Sequence, residues 1–396
     1  MKYLCILALI AVSACGGGGT AAPLLAAPTS APTATPTLAP VTLGEPKFPL
    51  RGLIDMQDIS WHNTDAGRPV FDITNVEGFP GLFGGVVINA TWAQMQPAAG
   101  GAVDFSQVDA ALASIRTYNT ANQSSPLGVK LRIYGGNSAP QWAKNLPGGP
   151  ITIYRNPAGC SGATDTCPLT VGPFWTQTYI SDWRAFQALV AAKYDSEPLI
   201  RAVAVTSCAS QTDEPFVPTS GPMGKANLGA AGYNDTVEQA CLAGATTDYA
   251  AWKNTEIDFT FNEYSKFTGG LDAAFTQSVM TLCRQQAADG CVLDNHALQT
   301  PLTSDLTTYA AIAAAGGLIN FQTQAPEGMG CLWPETITQG LLLGARAIEV
   351  WPEAKYQGFD TLTVPQVTAL QALFFAPLPA TTPVPSPLPT PCTGYN

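Results

Sequence analysis

Residues 85–142 spell out a unit that few folds can accommodate. Gly85-Val86-Val87-Ile88-Asn89-Ala90-Thr91 reads as a buried strand that runs into Trp92 and then Gln96-Pro97. A glycine turn and Asp104-Phe105-Ser106 follow, with Ser106 and Asp109 at the spacing of a capping box. Val108, Leu112 and Ile115 then form the apolar stripe of a helix. A second strand, Val129–Tyr134, opens into Gly135-Gly136 and Ala139-Pro140-Gln141-Trp142. The first strand looks buried, and a helical crossover to a parallel neighbour covers such a strand. Strand, loop, helix, strand and loop make one and a half turns of a (β/α)8 TIM barrel. Such barrels gather their functional side chains on the loops after the strands.

The other strands are assigned on the same pattern. Strand one is Arg51–Met56, with Asp58, Trp61 and His62 in its exit loop. Strand four is Ile200–Thr206, and its exit loop carries Gln211-Thr212-Asp213-Glu214-Pro215-Phe216. A helix is expected over roughly residues 248–267. Strand five is the least defined, because Leu271, Phe275, Val279, Leu282 and Cys283 repeat at a helical period where a strand should stand. Strand six, Cys291–Asp294, leads to Asn295-His296. Strand seven, Gly317–Gln322, leads to Gln324 and Glu327, and strand eight, Ala345–Trp351, leads to Pro352-Glu353. Long loops follow strands three and four, and loops of that length in a compact domain are usually functional. Trp183, Phe186, Leu189, Val190 and Tyr194 recur at helical spacing and read as core.

Residues 1–14 combine a positive start with an apolar run too short to span a bilayer, the pattern of a secretory signal. Val12-Ser13-Ala14-Cys15 resembles a bacterial lipoprotein box, which implies cleavage before Cys15 and lipidation of its sulfur; the plainer alternative is an ordinary signal peptide. Residues 15–44, rich in Gly, Ala, Pro and Thr, bury too little apolar surface to fold and read as an extended tether. That leaves 45–378 for one barrel and 379–396 for a Pro-rich tail. The expected location is the bacterial cell envelope, exported and held to the membrane by the N-terminal lipid only. A net charge of −11 offers no basic footprint for nucleic acid.

Ten cysteines less Cys5 and Cys15 leave eight, an even number that reads as disulfides in an exported chain. Sequential pairing is expected, since Cys160/Cys167 and Cys283/Cys291 each close a short loop. With no Cys-x-x-Cys and only His62 and His296, neither a metal nor another cofactor is expected.

The spelling of residues 85–142 resembles the second and third strands of clan A glycoside hydrolases, the retaining β-galactosidase-like and cellulase-like barrels. Their pattern is an apolar strand, Trp, a Gln/Glu-Pro pair, Gly, Asp-Phe/Tyr, a helix with Asp, and a strand ending in Pro-x-Trp. The resemblance covers about a sixth of the chain and implies a carbohydrate substrate and two carboxylates flanking a glycosidic bond. It also implies an acid/base Glu after strand four, where Asp213-Glu214-Pro215 echoes the clan's Asn-Glu-Pro, with Asp in place of Asn. It implies a nucleophile at the end of strand seven, where this chain has Gln322 and Gln324, with Glu327 slightly later.

Glu349 is the other candidate for the second carboxylate. It shares a strand face with Trp351, opposite Ile348 and Val350. A carboxylate in so apolar a strand must be paired or face a wet cleft, so it is either a partner of Arg132, Lys130 or Arg346, or a site residue; the latter is favoured. Trp61, Trp92, Trp142 and Trp351 fall at strand ends and are candidate sugar platforms. His62, His296 and Gln322 are candidate hydroxyl partners. Two functions fit: a retaining glycoside hydrolase, or a non-catalytic glycan-binding lipoprotein on the same scaffold.

Overall fold

A computed structural model describes residues 47–57, 70–154, 168–216, 221–287, 290–324, 332–351, 369 and 372–374. Eight parallel strands form its centre: β1 (Gly52–Asp55), β2 (Phe83–Thr91), β3 (Gly128–Tyr134), β4 (Ile200–Ala204), β5 (Glu256–Thr260), β6 (Cys291–Asp294), β7 (Asn320–Gln322) and β8 (Ala347–Val350). Each strand lies beside its sequence neighbours, and β8 pairs with β1. A parallel bridge between Leu293 and Ile319 joins β6 to β7 and closes the ring. This is the (β/α)8 barrel that the strand–helix pattern predicts.

Alternation along each strand sorts the residues. Val86, Ile88 and Ala90 of β2, Val129, Leu131 and Ile133 of β3, and Ile348 and Val350 of β8 join the outer apolar core beneath the helices. The opposite set points inward. Ile54, Val87, Ala202 and Ala347, with Leu50, plug the lower interior. Above that plug the interior is ionic, with Lys130, Arg132, Asp258, Asp294 and Glu349 all buried. Met56, Tyr134 and the half-buried Trp351 cover it at the top.

The fifth strand corrects the sequence reading. β5 falls inside the stretch expected to be a helix over 248–267, while the helical repeat further on is indeed a helix, Ala273–Gln286. Ile257 and Phe259 face the outer core, but the inward positions are held by Glu256 and Asp258, so the strand lacks an apolar inner face. Two smaller corrections concern helices. Phe105, not Ser106, is the N-cap of Ser106–Ala121, where the Asp104 side chain accepts from the Ser106 N–H. Leu189 is 48% exposed, whereas Trp183, Phe186, Val190 and Tyr194 of the same helix are core.

Two excursions shape the rim. After β3 the chain forms a short helix, Gln141–Lys144, and a hairpin of Ile151–Tyr154 against Pro168–Val171. The β3 exit also passes tightly under the β4 exit: Gly136 has φ +52°, and a Cβ there would stand 2.4 Å from the Ser210 carbonyl. Cys208–Cys241 ties the β4 exit to the helix Asp235–Gly244, and Cys283–Cys291 ties the helix before β6 to that strand. Both match sequential pairing. Cys160, Cys167, Cys331 and Cys392 lie outside the described residues, as do Cys15 and the segments flanking the barrel.

Candidate active site

Burying an ion costs several kcal/mol unless its partners are close and complete. The upper interior meets that condition. Lys130 Nζ, from β3, reaches Asp258 Oδ1 at 2.9 Å, Asp294 Oδ2 at 3.0 Å and Glu349 Oε1 at 2.5 Å. Two residues on, and so on the same face, Arg132 places Nη2 2.6 Å from Glu349 Oε2 and Nε 2.6 Å from Asp213 Oδ2. Both oxygens of Glu349 are thereby held by cations.

His296, just beyond β6, adds a third positive group. Its Nε2 lies 3.0 Å from Thr260 Oγ1 and 3.4 Å from Asp294 Oδ2, and its Nδ1 lies 3.8 Å from Asp213 Oδ1. Burial by itself lowers the imidazole pKa, but Asp213 and Asp294 outweigh it and raise the value to about 9. Burial pushes Asp258 up to about 7, although Lys130 opposes the shift. Burial acts the same way on Asp294, where Lys130 and His296 prevail and hold the carboxyl below its ordinary range. Asp258 is therefore the carboxyl of this group that most readily holds a proton. Lys130, Arg132 and His296 thus face the carboxyl groups of Asp213, Asp258, Asp294 and Glu349.

The rim above is held more loosely. Glu214 follows Asp213 directly and is half-buried, with Oε1 3.4 Å from Asn262 Nδ2. Burial raises its pKa, and Asp213 and Asp305 add to the rise against the lowering influence of His296. Asn262 stands two residues past β5, 4% exposed. The same Nδ2 lies 3.5 Å from Asp305 Oδ2, so one amide spans two carboxyl groups. Asp305 Oδ1 accepts from the Glu263 N–H at 3.2 Å. Asp305 holds a left-handed backbone, φ 51°, at the start of the helix Leu306–Ala315. Asn262 Oδ1 is buried and, among the described residues, has no hydrogen-bond donor.

The sequence candidates divide between these two levels and a third group. Glu214, His296, Gln322 and Trp351 stand at the C-terminal ends of β4, β6, β7 and β8. Gln322 is buried, with its backbone N–H donating to the Asn295 carbonyl, and Trp351 Nε1–H donates to the Thr323 carbonyl at 3.1 Å. Glu349 lies in the interior network. Trp92 is a correction: it is fully buried, stacked on Phe186 and edge-on to Trp142, Tyr179 and Trp183. The Thr91–Gln94 capping box starts a helical turn at Trp92 directly after β2, and the indole lies in the core behind the strand. Trp142 is half-buried against it and donates to the Gln96 carbonyl. Trp61, His62 and Glu327 lie outside the described residues.

Asn262 and Asp305, which sequence reading missed, are the neighbours that the structure sets beside Glu214. Asn262 was hidden inside the expected helix. An exit loop two residues past a correctly placed β5 is the signal that locates it.

No protein-family model matches this chain, and no curated protein matches it. Among solved structures, its backbone is similar to the cold-adapted β-galactosidase from Rahnella sp. R3, with a TM-score of 0.48 and 12% identity over 83% of this chain and 58% of that one. It is also similar to Pseudomonas stutzeri endoglucanase Cel5A, with a TM-score of 0.46 and 11% identity over 84% and 98%. A third is α-L-fucosidase isoenzyme 2 from Paenibacillus thiaminolyticus, with a TM-score of 0.43 and 14% identity over 83% and 49%. This chain spans less than two thirds of the β-galactosidase and about half of the fucosidase.

Proposed function

We propose that this protein is a retaining glycoside hydrolase acting on an extracytoplasmic oligo- or polysaccharide at the C-terminal rim of the barrel, with Glu214 as acid/base. The observation that carries this reading is a half-buried carboxyl on the β4 exit whose pKa is raised by burial and which a single long amide bond restrains. A carboxyl that keeps its proton can pass it to the glycosidic oxygen as the C1–O bond breaks. Once ionised, it can take a proton from the incoming water. Gln322 at the end of β7 would offer an amide to a sugar hydroxyl and Trp351 a ring at the mouth, while His296 is held within the interior network by Thr260 and Asp294.

A second reading, glycan binding without cleavage, is favoured by Gln322 at the end of β7 and by the two cations that occupy Glu349. Exposing purified protein to aryl glycosides and to plant and bacterial polysaccharides, while measuring both retention and released reducing ends, separates the two. Release supports the hydrolase, retention without release supports the binder, and neither result removes both. The anchoring half of the reading places the protein at a bacterial membrane through lipidated Cys15. Cys15→Ser should move the protein out of the membrane fraction, and a variant that stays there contradicts the anchor.

A further inference from the structure

Hydrolysis with retention requires a second carboxylate on the far side of the anomeric carbon from the acid. Glu349 is poorly suited, being 2% exposed with both oxygens on Lys130 and Arg132. Asp305 differs on each count. It is half-buried on the β6 exit, and it faces the same amide nitrogen as Glu214. Two oxygens at 3.4 and 3.5 Å from one nitrogen are no more than about 7 Å apart. That limit includes the retaining separation of about 5–5.5 Å and only the lower edge of the inverting range of about 6.5–9.5 Å.

Asn262 supplies an independent observation. It is 4% exposed, and its Oδ1 accepts nothing from the described residues. A buried acceptor without a donor calls for an explanation, and a sugar hydroxyl held between the two carboxyls would donate to it. The left-handed backbone of Asp305 fits the same site, because strained non-glycine conformations gather at functional centres.

We propose that Asp305 is the catalytic nucleophile opposite Glu214, with Asn262 positioning both carboxyls and accepting a substrate hydroxyl through Oδ1. The inference rests on the hydrolase reading above. An Asp305 oxygen bonds to C1 while the C1–O bond breaks, its electron pair goes to the leaving oxygen, and that oxygen takes the Glu214 proton. Water then attacks C1, gives a proton to Glu214, and the ester bond to Asp305 breaks with its electrons returning to the carboxylate.

The experiment uses the full chain and its variants Asp305→Asn, Asp305→Ala and Glu349→Gln, on one activated aryl glycoside and one unactivated oligosaccharide, with thermal melts alongside. Asparagine tolerates the left-handed backbone, so Asp305→Asn tests the chemistry even if Asp305→Ala does not fold. Both Asp305 variants should lose at least about a hundred-fold on both substrates, with melting points near that of the parent. Azide should restore turnover to Asp305→Ala and yield a glycosyl azide of opposite anomeric configuration to the substrate. Asp305→Asn turning over within a few-fold of the parent overturns the inference and leaves the hydrolase reading intact. An inverted product from the parent overturns the nucleophile role, and a parent that cleaves nothing overturns the hydrolase reading itself.

Discussion

Two carboxylates, Glu349 and Glu214, stand at two levels of the same barrel and are treated oppositely. Inside, Glu349 is nearly inaccessible and bound through both oxygens to cations at 2.5 and 2.6 Å. On the rim, Glu214 is half-buried, and its partner is an amide at 3.4 Å. Close charge pairing makes a group structural, because it leaves neither access nor spare bonding. Loose restraint with desolvation leaves a carboxyl able to hold a proton and release it. Residue type alone does not separate these roles, and the number and charge of the partners do.

The largest expected effect tests the interior level. Glu349→Leu leaves Lys130 and Arg132 buried with fewer partners, and removing one member of a buried ion pair typically costs about 3–5 kcal/mol. Urea denaturation should show a loss of that size, whereas Glu214→Gln should cost less than about 1 kcal/mol. Equal losses would erase the distinction between the two levels. Trp92→Ala should be similarly damaging, about 3–5 kcal/mol, through the aromatic cluster. Its melting point, rather than its glycan retention per folded molecule, should fall.

A smaller effect lies in the pH dependence. Burial pushes Asp55, Glu238 and Asp258 up to about 7 and Asp248 up to about 6. Groups raised above their unfolded values contribute stability at low pH that is lost as pH climbs, here between about 4 and 7. His296, raised from 6.5 to about 9, contributes below 6.5 and loses that contribution as pH rises through 9. Asp213 and Asp294 are lowered, so their contribution is present above about pH 4 and lost below it. The melting point should therefore peak in the acid range, near about pH 4–5, and decline to pH 9. His296→Gln should flatten only the part of the decline above 6.5. A melting point that rises from pH 6 to 9 would contradict this assignment of protons.

Much of the barrel was legible because β2 and β3 are apolar on their outer faces and β3 opens into Gly135-Gly136. β5 was not, since its inward positions carry Glu256 and Asp258, whose partners are Arg346, just before β8, and Lys130 of β3. Glu214 was legible from Asp-Glu-Pro after β4. Glu349 was recognised as a buried charge needing either a partner or a cleft, and the chain could not show that two cations converge on it. Asp305 had no local signature. Its place beside Glu214 depends on Asn262, and Asn262 depends on where β5 ends.

The central claim is that Glu214 is the proton donor of a hydrolase. Its most direct test is the turnover of Glu214→Gln on an unactivated glycan cleaved by the parent, set against an activated aryl glycoside of the same sugar. Loss of the acid should reduce turnover of the first by about 10²–10⁴-fold, and of the second far less, because its leaving group departs without a proton. Turnover of the unactivated glycan close to that of the parent would remove Glu214 from the chemistry.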